Sequence, residues 1–266
     1  MNFDLLHLNV ERNKHTDAVF SLLKERKPQL VCLAEVMYKD VLLFSSTFGY
    51  EFAFAPLIFL KNNNENDQEG SAILSKYKIL EINKHRYDDG ESEEVPVLST
   101  GELIMKDGER PKERFLYHYT LLSVLVELSE ESKITVSTTH FPVTDHTTPG
   151  HVDHELKSLK NIDDVEHSEV YLNRLIEILR SITTPIIFTS DLNNPRGEFF
   201  YDSIAHELVD RVPSYLKSSI DPNIHRVKNL ELLVDTIMTS PDVNLNSFEV
   251  IEGVSDHKGY LASLNI

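Results

Sequence analysis

The first fifty residues change hydrophobic period twice. "FDLLHLNV" and "QLVCLAEV" are nearly continuous apolar runs of strand length, whereas "TDAVFSLLKERK" between them sets Val19, Phe20, Leu22 and Leu23 at helical spacing. A Thr or Asp cap is expected to open that helix and Pro28 to close it. The pattern then predicts a short helix over 41–48, a strand over 50–56, and two strands in "GSAILSK" and "YKILEINKHR" joined by a tight turn. "KNNNENDQE" reads as turn material with no fold of its own, and "DDGESEE" as an acidic loop. Alternation over 114–128 and 133–139 predicts a long antiparallel pair that turns at "ELSEES". The clearest helical pattern runs over 165–180, on Val165, Leu172, Leu175, Ile176 and Leu179. A strand ending at Asp191 and three late strands, in "LLVDTIMTS", "SFEVIEG" and "HKGYLASL", complete the series. Strand-helix-strand units at both ends, with antiparallel strands between, predict an α/β four-layer sandwich: two packed mixed β-sheets flanked by helices, in one domain over 1–266.

Polar residues interrupt these strands mainly at their ends. In "FTSDLNNPRGEF" a strand stops on Asp191 and Asn193, and two readings compete. Asp and Asn form turns by bonding their own backbone, or the pair holds one reactive water. Partners elsewhere decide between them. Asn9 ends the first strand, Glu35 the second and His140 the "TVSTT" strand, while Asp235 interrupts "LLVDTIM" and Asp256-His257 precede the last. Each alone is ordinary. Together, carboxylates, amides and two histidines at strand ends that converge on one rim match a hard-cation site facing a phosphate.

Composition narrows the partners. The 266 residues are 41% hydrophobic, with a formal charge of −17 from 43 acids and 26 bases, so the overall field repels polyanions and anionic membranes. A phosphate substrate then needs local help from a metal or a basic rim. Cys32 lies in an apolar strand and is expected to be a packed hydrophobe rather than a nucleophile. No apolar run approaches membrane-span length, and a cytosolic protein is the simplest expectation.

In sequence order, "LHLNVE", "PQLVCLAEV", "GSAILSK", "TTHFP", "FTSDLNNP", "LVDTIMTS" and "VSDHKGYLASL" resemble the motifs of the endonuclease/exonuclease/phosphatase family of metal-dependent phosphoesterases. The resemblance covers nearly the whole chain and implies a chemistry rather than a substrate. By motif, Glu35 looks like the main Mg²⁺ (or Mn²⁺) ligand, with Asn9 beside it and Asp256 near the metal. Asp191 would hold and deprotonate the attacking water, which Asn193 helps to orient. His257 is similar to the histidine that contacts the scissile phosphate, with Asp235 as its orienting carboxylate, and His140 looks like the second histidine. Glu69 matches the carboxylate that orients this second histidine in the deoxyribonuclease branch. Two departures stand out: Glu11 replaces the acid of an Asn-x-Asp motif, as a support of the site or an exposed residue, and His7 stands where an aromatic is common.

These residues imply a Mg-dependent phosphodiesterase or nuclease. A phosphomonoesterase or inositol-phosphate phosphatase on the same site, and a non-catalytic binding protein on the same fold, are the alternatives. Arg196 is the best-placed candidate for phosphate contact, while Lys106, Arg110, Lys112 and Arg114 read first as a solvated hairpin. The histidine-rich "THFPVTDHTTPGHVDHE" nearly copies a zinc-hydrolase pattern, but Phe141 and Val143 replace two of its ligands. His146, His151 and His154 then remain an unassigned group, expected to rim the cleft.

Overall fold

Alternation along β1 (Asn2–Asn9) sends its side chains to two cores. Phe3 and Leu5 enter one, Leu6 and Leu8 the other. β2 (Leu30–Met37) runs parallel to β1 and divides the same way, Leu30 and Cys32 against Val31 and Leu33. The second core is closed by α1 (Thr16–Arg26) through Val19, Leu22 and Leu23 and by α2 (Tyr38–Phe48) through Val41 and Phe44. The first core faces another sheet. This computed structural model describes residues 1–61, 66–88, 94–95, 97–99, 117–143 and 163–266.

The remaining strands are β3 (Glu51–Lys61), β4 (Asn66–Ser75), β5 (Lys78–Arg86), β6 (Val97–Ser99), β7 (Thr120–Ser129), β8 (Ser132–His140), β9 (Ile186–Asp191), β10 (Val209–Asp210), β11 (Asp235–Thr239), β12 (Asn244–Ile251) and β13 (Gly259–Asn265). They form a seven-stranded sheet, β12-β13-β1-β2-β4-β3-β6, and a six-stranded sheet, β10-β11-β9-β8-β7-β5. Both are mixed, through the parallel pairs β1/β2 and β8/β9. Leu30, Cys32 and Ile73 of the first sheet share a core with Val124, Val136, Phe188 and Ile237 of the second. Into it also pack α3 (Asp163–Ser181), through Leu172, Leu175 and Leu179, and α4 (Phe199–Ala205), through Phe200 and Ile204. The expected sandwich of two mixed sheets with helices outside is what forms.

Several local expectations are corrected. The two strands around Lys76 are not a hairpin: β4 belongs to the first sheet and β5 to the second, so the short turn between them carries the chain across the sandwich. Part of the supposed loop is strand, because residues from Asn66 onward pair with β3. His15, not Thr or Asp, occupies the cap position of α1 and makes no side-chain capping bond. Asp235 opens β11 rather than interrupting a longer strand. Cys32 is buried, and burial pushes its thiol up to about 12, as a packed hydrophobe requires. No helix among the described residues is long and apolar enough to cross a membrane.

One irregularity matters for function. β2 and β4 lose register between Leu33 and Val36, and within that bulge Glu35 adopts a left-handed backbone with φ of 51°. Uninterrupted alternation would point residue 35 toward α1 and α2 with Val31 and Leu33. The bulge re-aims it to the rim of the sandwich. Opposite, Gly70 lets β4 press against β3, since a Cβ there would stand 2.1 Å from the Ala55 carbonyl oxygen.

Candidate active site

His140 ends β8, Asp191 ends β9 and Asp235 begins β11. Backbone register sets His140 beside Asp191 and Asp191 beside Asp235. Cross-strand neighbours share a face, so the three line up along one edge of the second sheet. Across the sandwich, Asn9 continues the inward face of Phe3 and Leu5, and its amide nitrogen donates to Glu35 Oε1 at 3.0 Å and to Asp191 Oδ2 at 2.9 Å. One amide therefore clamps carboxylates from both sheets. Its oxygen accepts the Glu11 backbone N–H at 3.0 Å, which fixes the orientation.

The two oxygens of Asp191 have different surroundings. Oδ1 accepts the Asn193 backbone N–H at 2.9 Å, a turn in which Asn193 takes φ of 52°. Oδ2 faces the cluster, 3.7 Å from His140 Nε2 and 3.8 Å from His257 Nδ1. The Asn193 amide donates to the Phe141 carbonyl at 2.9 Å and meets His140 Nε2 at 2.8 Å, so it holds the imidazole in place.

Asp235 is fully buried and serves two histidines. His257 Nδ1 lies 2.7 Å from Oδ2, and His7 Nε2 lies 3.1 Å from Oδ1. Burial opposes the charge on Asp235, but the attraction and hydrogen bonds of His257 and His7 prevail and hold its carboxyl well below the ordinary range. Burial likewise opposes the His257 cation, and Asp235 with Asp191 raises its pKa well above the usual value. Glu35 is held below its ordinary value: desolvation opposes the charge, while His140, the Asn9 amide and Arg12 favour it.

Two overlapping groups have donor atoms mutually within 4.8 Å, Glu35–His140–Asp191 and Asp191–Asp235–His257. A cavity of about 180 Å³ opens beside the first group, with Arg12, Tyr117, Tyr119 and Pro142 in its walls. Larger depressions, about 460 Å³ at the start of α1 and about 590 Å³ between β3 and β5, have none of these groups in their walls.

No family model matches the sequence, and no curated protein matches it. Solved structures do resemble it. The endonuclease/exonuclease/phosphatase of Bacteroides vulgatus is similar with a TM-score of 0.68 at 15% identity, over 100% of this chain and 99% of that one. A family protein from Leptotrichia buccalis gives 0.67 at 15% identity, over 99% and 100%. The fold is that of the endonuclease/exonuclease/phosphatase family. TDP2 of D. rerio, complexed with single strand DNA product, shares it with a TM-score of 0.63 at 15% identity, over 100% and 99%.

Against that fold, some sequence expectations relocate. Arg196 lies against Asp210 at 2.6 Å and the Val212 carbonyl at 2.7 Å, anchoring the loop after β9 instead of facing the cluster. Glu69 pairs with Arg12 at 2.6 Å rather than with His140, and burial raises its pKa despite Arg12. The Glu11 carboxylate turns to His15 and Lys14, leaving only its backbone N–H to support Asn9. Asn9 offers its N–H groups to the carboxylates of Glu35 and Asp191 and its oxygen to the Glu11 backbone, so it clamps the two acids. Asp256 belongs to neither donor group; its carboxyl accepts from Ser255, and burial raises its pKa. Lys106, Arg110, Lys112, Arg114, His146, His151 and His154 lie outside the described residues.

Sequence reasoning missed His7 as a partner of Asp235 and Arg12 as a partner of Glu69. The inward alternation Phe3, Leu5, His7 was a usable signal for the first. Nothing local foreshadowed the second, since 57 residues separate the pair.

The His257–Asp235 pair has a pH consequence. A raised histidine pKa contributes stability that is full below the unfolded value of about 6.5 and is lost as pH rises through the folded value. The depressed Asp235 contributes stability above about 3.9, lost only in strong acid. Melting temperature should thus hold between about pH 5 and 6.5 and fall on the alkaline side, and His257→Gln should remove that alkaline fall. Identical profiles for both proteins would refute the assignment.

Proposed function

We propose that this protein is a divalent-metal-dependent phosphoester hydrolase whose substrate is a phosphodiester. The observation that carries the reading is Asp191 Oδ2, a carboxylate oxygen clamped by Asn9 and set 3.7 and 3.8 Å from two imidazoles. Such an oxygen is positioned to orient a water and accept its proton. His257 anchors Nδ1 on Asp235, which directs Nε2 outward as a donor to a phosphate oxygen. His140, gripped by Asn193, flanks the same space.

The donor set fits a hard cation. Glu35 is 24% exposed, held in its charged form, and within 3.7 Å of His140, with no thiolate nearby to favour a softer ion. We assign Glu35 as the principal ligand of Mg²⁺ or Mn²⁺. The ion would supply Lewis-acid stabilisation of charge growing on the phosphate. Asn9 bridges Glu35 and Asp191 through one amide nitrogen, which holds the two carboxylates next to each other.

Nucleic acid is the first substrate class to try. A TDP2 of the same fold is complexed with single strand DNA product, and the charge of −17 disfavours long duplexes. The test is a Mg²⁺-dependent activity panel spanning a generic phosphodiester, single- and double-stranded DNA, RNA, inositol phosphates and sphingomyelin. Turnover of the diesters supports the proposal; turnover confined to monoesters replaces it with a phosphatase, and none anywhere favours a binding protein. In calorimetry, Glu35→Gln should weaken Mg²⁺ binding at least about ten-fold. Unchanged affinity would move the metal site elsewhere.

A further inference from the structure

We propose that His7 is a positioning residue for the Asp235–His257 pair, locking the carboxylate so that His257 keeps its outward nitrogen aimed at the substrate. The inference rests on the hydrolase reading above and extends it to a residue with no assigned role. His7 occupies the inward face of β1 after Phe3 and Leu5, where the core calls for an apolar ring. It is fully buried instead, with Nε2 3.1 Å from Asp235 Oδ1. The other oxygen, Oδ2, receives His257 Nδ1 at 2.7 Å. Asp235, on the second sheet, therefore has each oxygen engaged by a different imidazole, one from β1 and one from the turn that leads into β13 of the first sheet.

The consequence is rotational. A carboxylate with a single donor turns about its terminal torsion, which is broad and two-fold. Asp235 is fully buried, and Ser219 Oγ accepts its backbone N–H at 3.2 Å while donating to the Leu232 carbonyl at 3.3 Å, so neither solvent nor that hydroxyl replaces a donor to Oδ1. His7 supplies the donor and pins the plane of the carboxylate. His257 Nδ1–H is then held, which leaves its Nε2 as the outward atom.

A residue chosen only to fill space would not carry this arrangement. His7 Nδ1 is buried without a hydrogen-bond partner, and the Tyr260 ring lies 6.4 Å away centroid to centroid. An apolar ring would avoid that unmet polar atom. What a histidine adds over an apolar ring is the Nε2–H directed at Asp235.

The test compares His7→Phe, which fills the volume without a donor, with His7→Gln, whose amide N–H reaches near the position of Nε2. Kinetics on the diester that wild type cleaves should show kcat lowered about ten-fold in His7→Phe with KM within about two-fold, and substantial recovery in His7→Gln. Long-range ¹H–¹⁵N spectra should show His257 Nδ1 protonated and in one fixed environment in wild type and His7→Gln, and a shifted or averaged Nδ1 signal in His7→Phe. Unchanged kcat and an unchanged His257 signal in His7→Phe would overturn the proposal. So would equal loss in both variants that tracks a fall in melting temperature, the mark of a packing role. If wild type cleaves nothing, the hydrolase reading fails by itself and the spectra alone decide whether His7 governs His257.

Discussion

Exchanging Asp191 for Asn is expected to lower phosphodiester turnover by about 10² to 10⁴-fold while the protein stays folded. The two oxygens make this a sharp test. Asn retains an acceptor for the Asn193 N–H, so the turn that ends β9 survives. What it loses is the second oxygen, the one facing His140 and His257, and with it the capacity to take a proton from water. There is a structural cost, because the new NH₂ group meets the Asn9 NH₂ group, and Asn9 is prevented from flipping by its bond to the Glu11 backbone. That clash should cost about 1–3 kcal/mol of stability. A melting curve lowered by that amount, with turnover nearly abolished, is the predicted pair of results. Wild-type turnover would show that Asp191 is there for the turn alone.

His257→Ala should lower turnover by about 10² to 10³-fold, because it removes a donor whose value grows with charge on the phosphate. It also strips Asp235 Oδ2 of its partner inside the core, so a moderate loss of thermal stability accompanies the kinetic effect. Asp191 and His257 act on the same event, and their effects should not add. The double variant is expected to turn over little worse than the poorer single variant. Multiplicative losses would mean that the two residues serve separate steps.

The elements themselves were largely legible. The apolar runs of strand length in β1 and β2, the period-two alternation of β7–β8 and the helical stripe of α3 depend on local chain geometry and so appear in the sequence directly. Sheet membership did not. The turn at Lys76 looks like a hairpin because turn chemistry is local, whereas the crossing from one sheet to the other follows from what β4 and β5 pair with far along the chain.

The same division runs through the site. Residue type and order already specify which chemical groups lie at the strand ends, since Asn9, Glu35, His140, Asp191, Asp235 and His257 interrupt apolar runs. Their geometry comes from the fold. The bulge that turns Glu35 outward, the register that sets Asp191 between His140 and Asp235, and the two imidazoles on one buried carboxylate all depend on contacts between distant segments. Arg196 and Glu69 illustrate the limit, since each has the charge expected of a site residue yet pairs with an opposite charge outside the cluster, Asp210 and Arg12. Charge type is written in one residue, but a hydrogen bond needs two, and folding alone brings the second within reach.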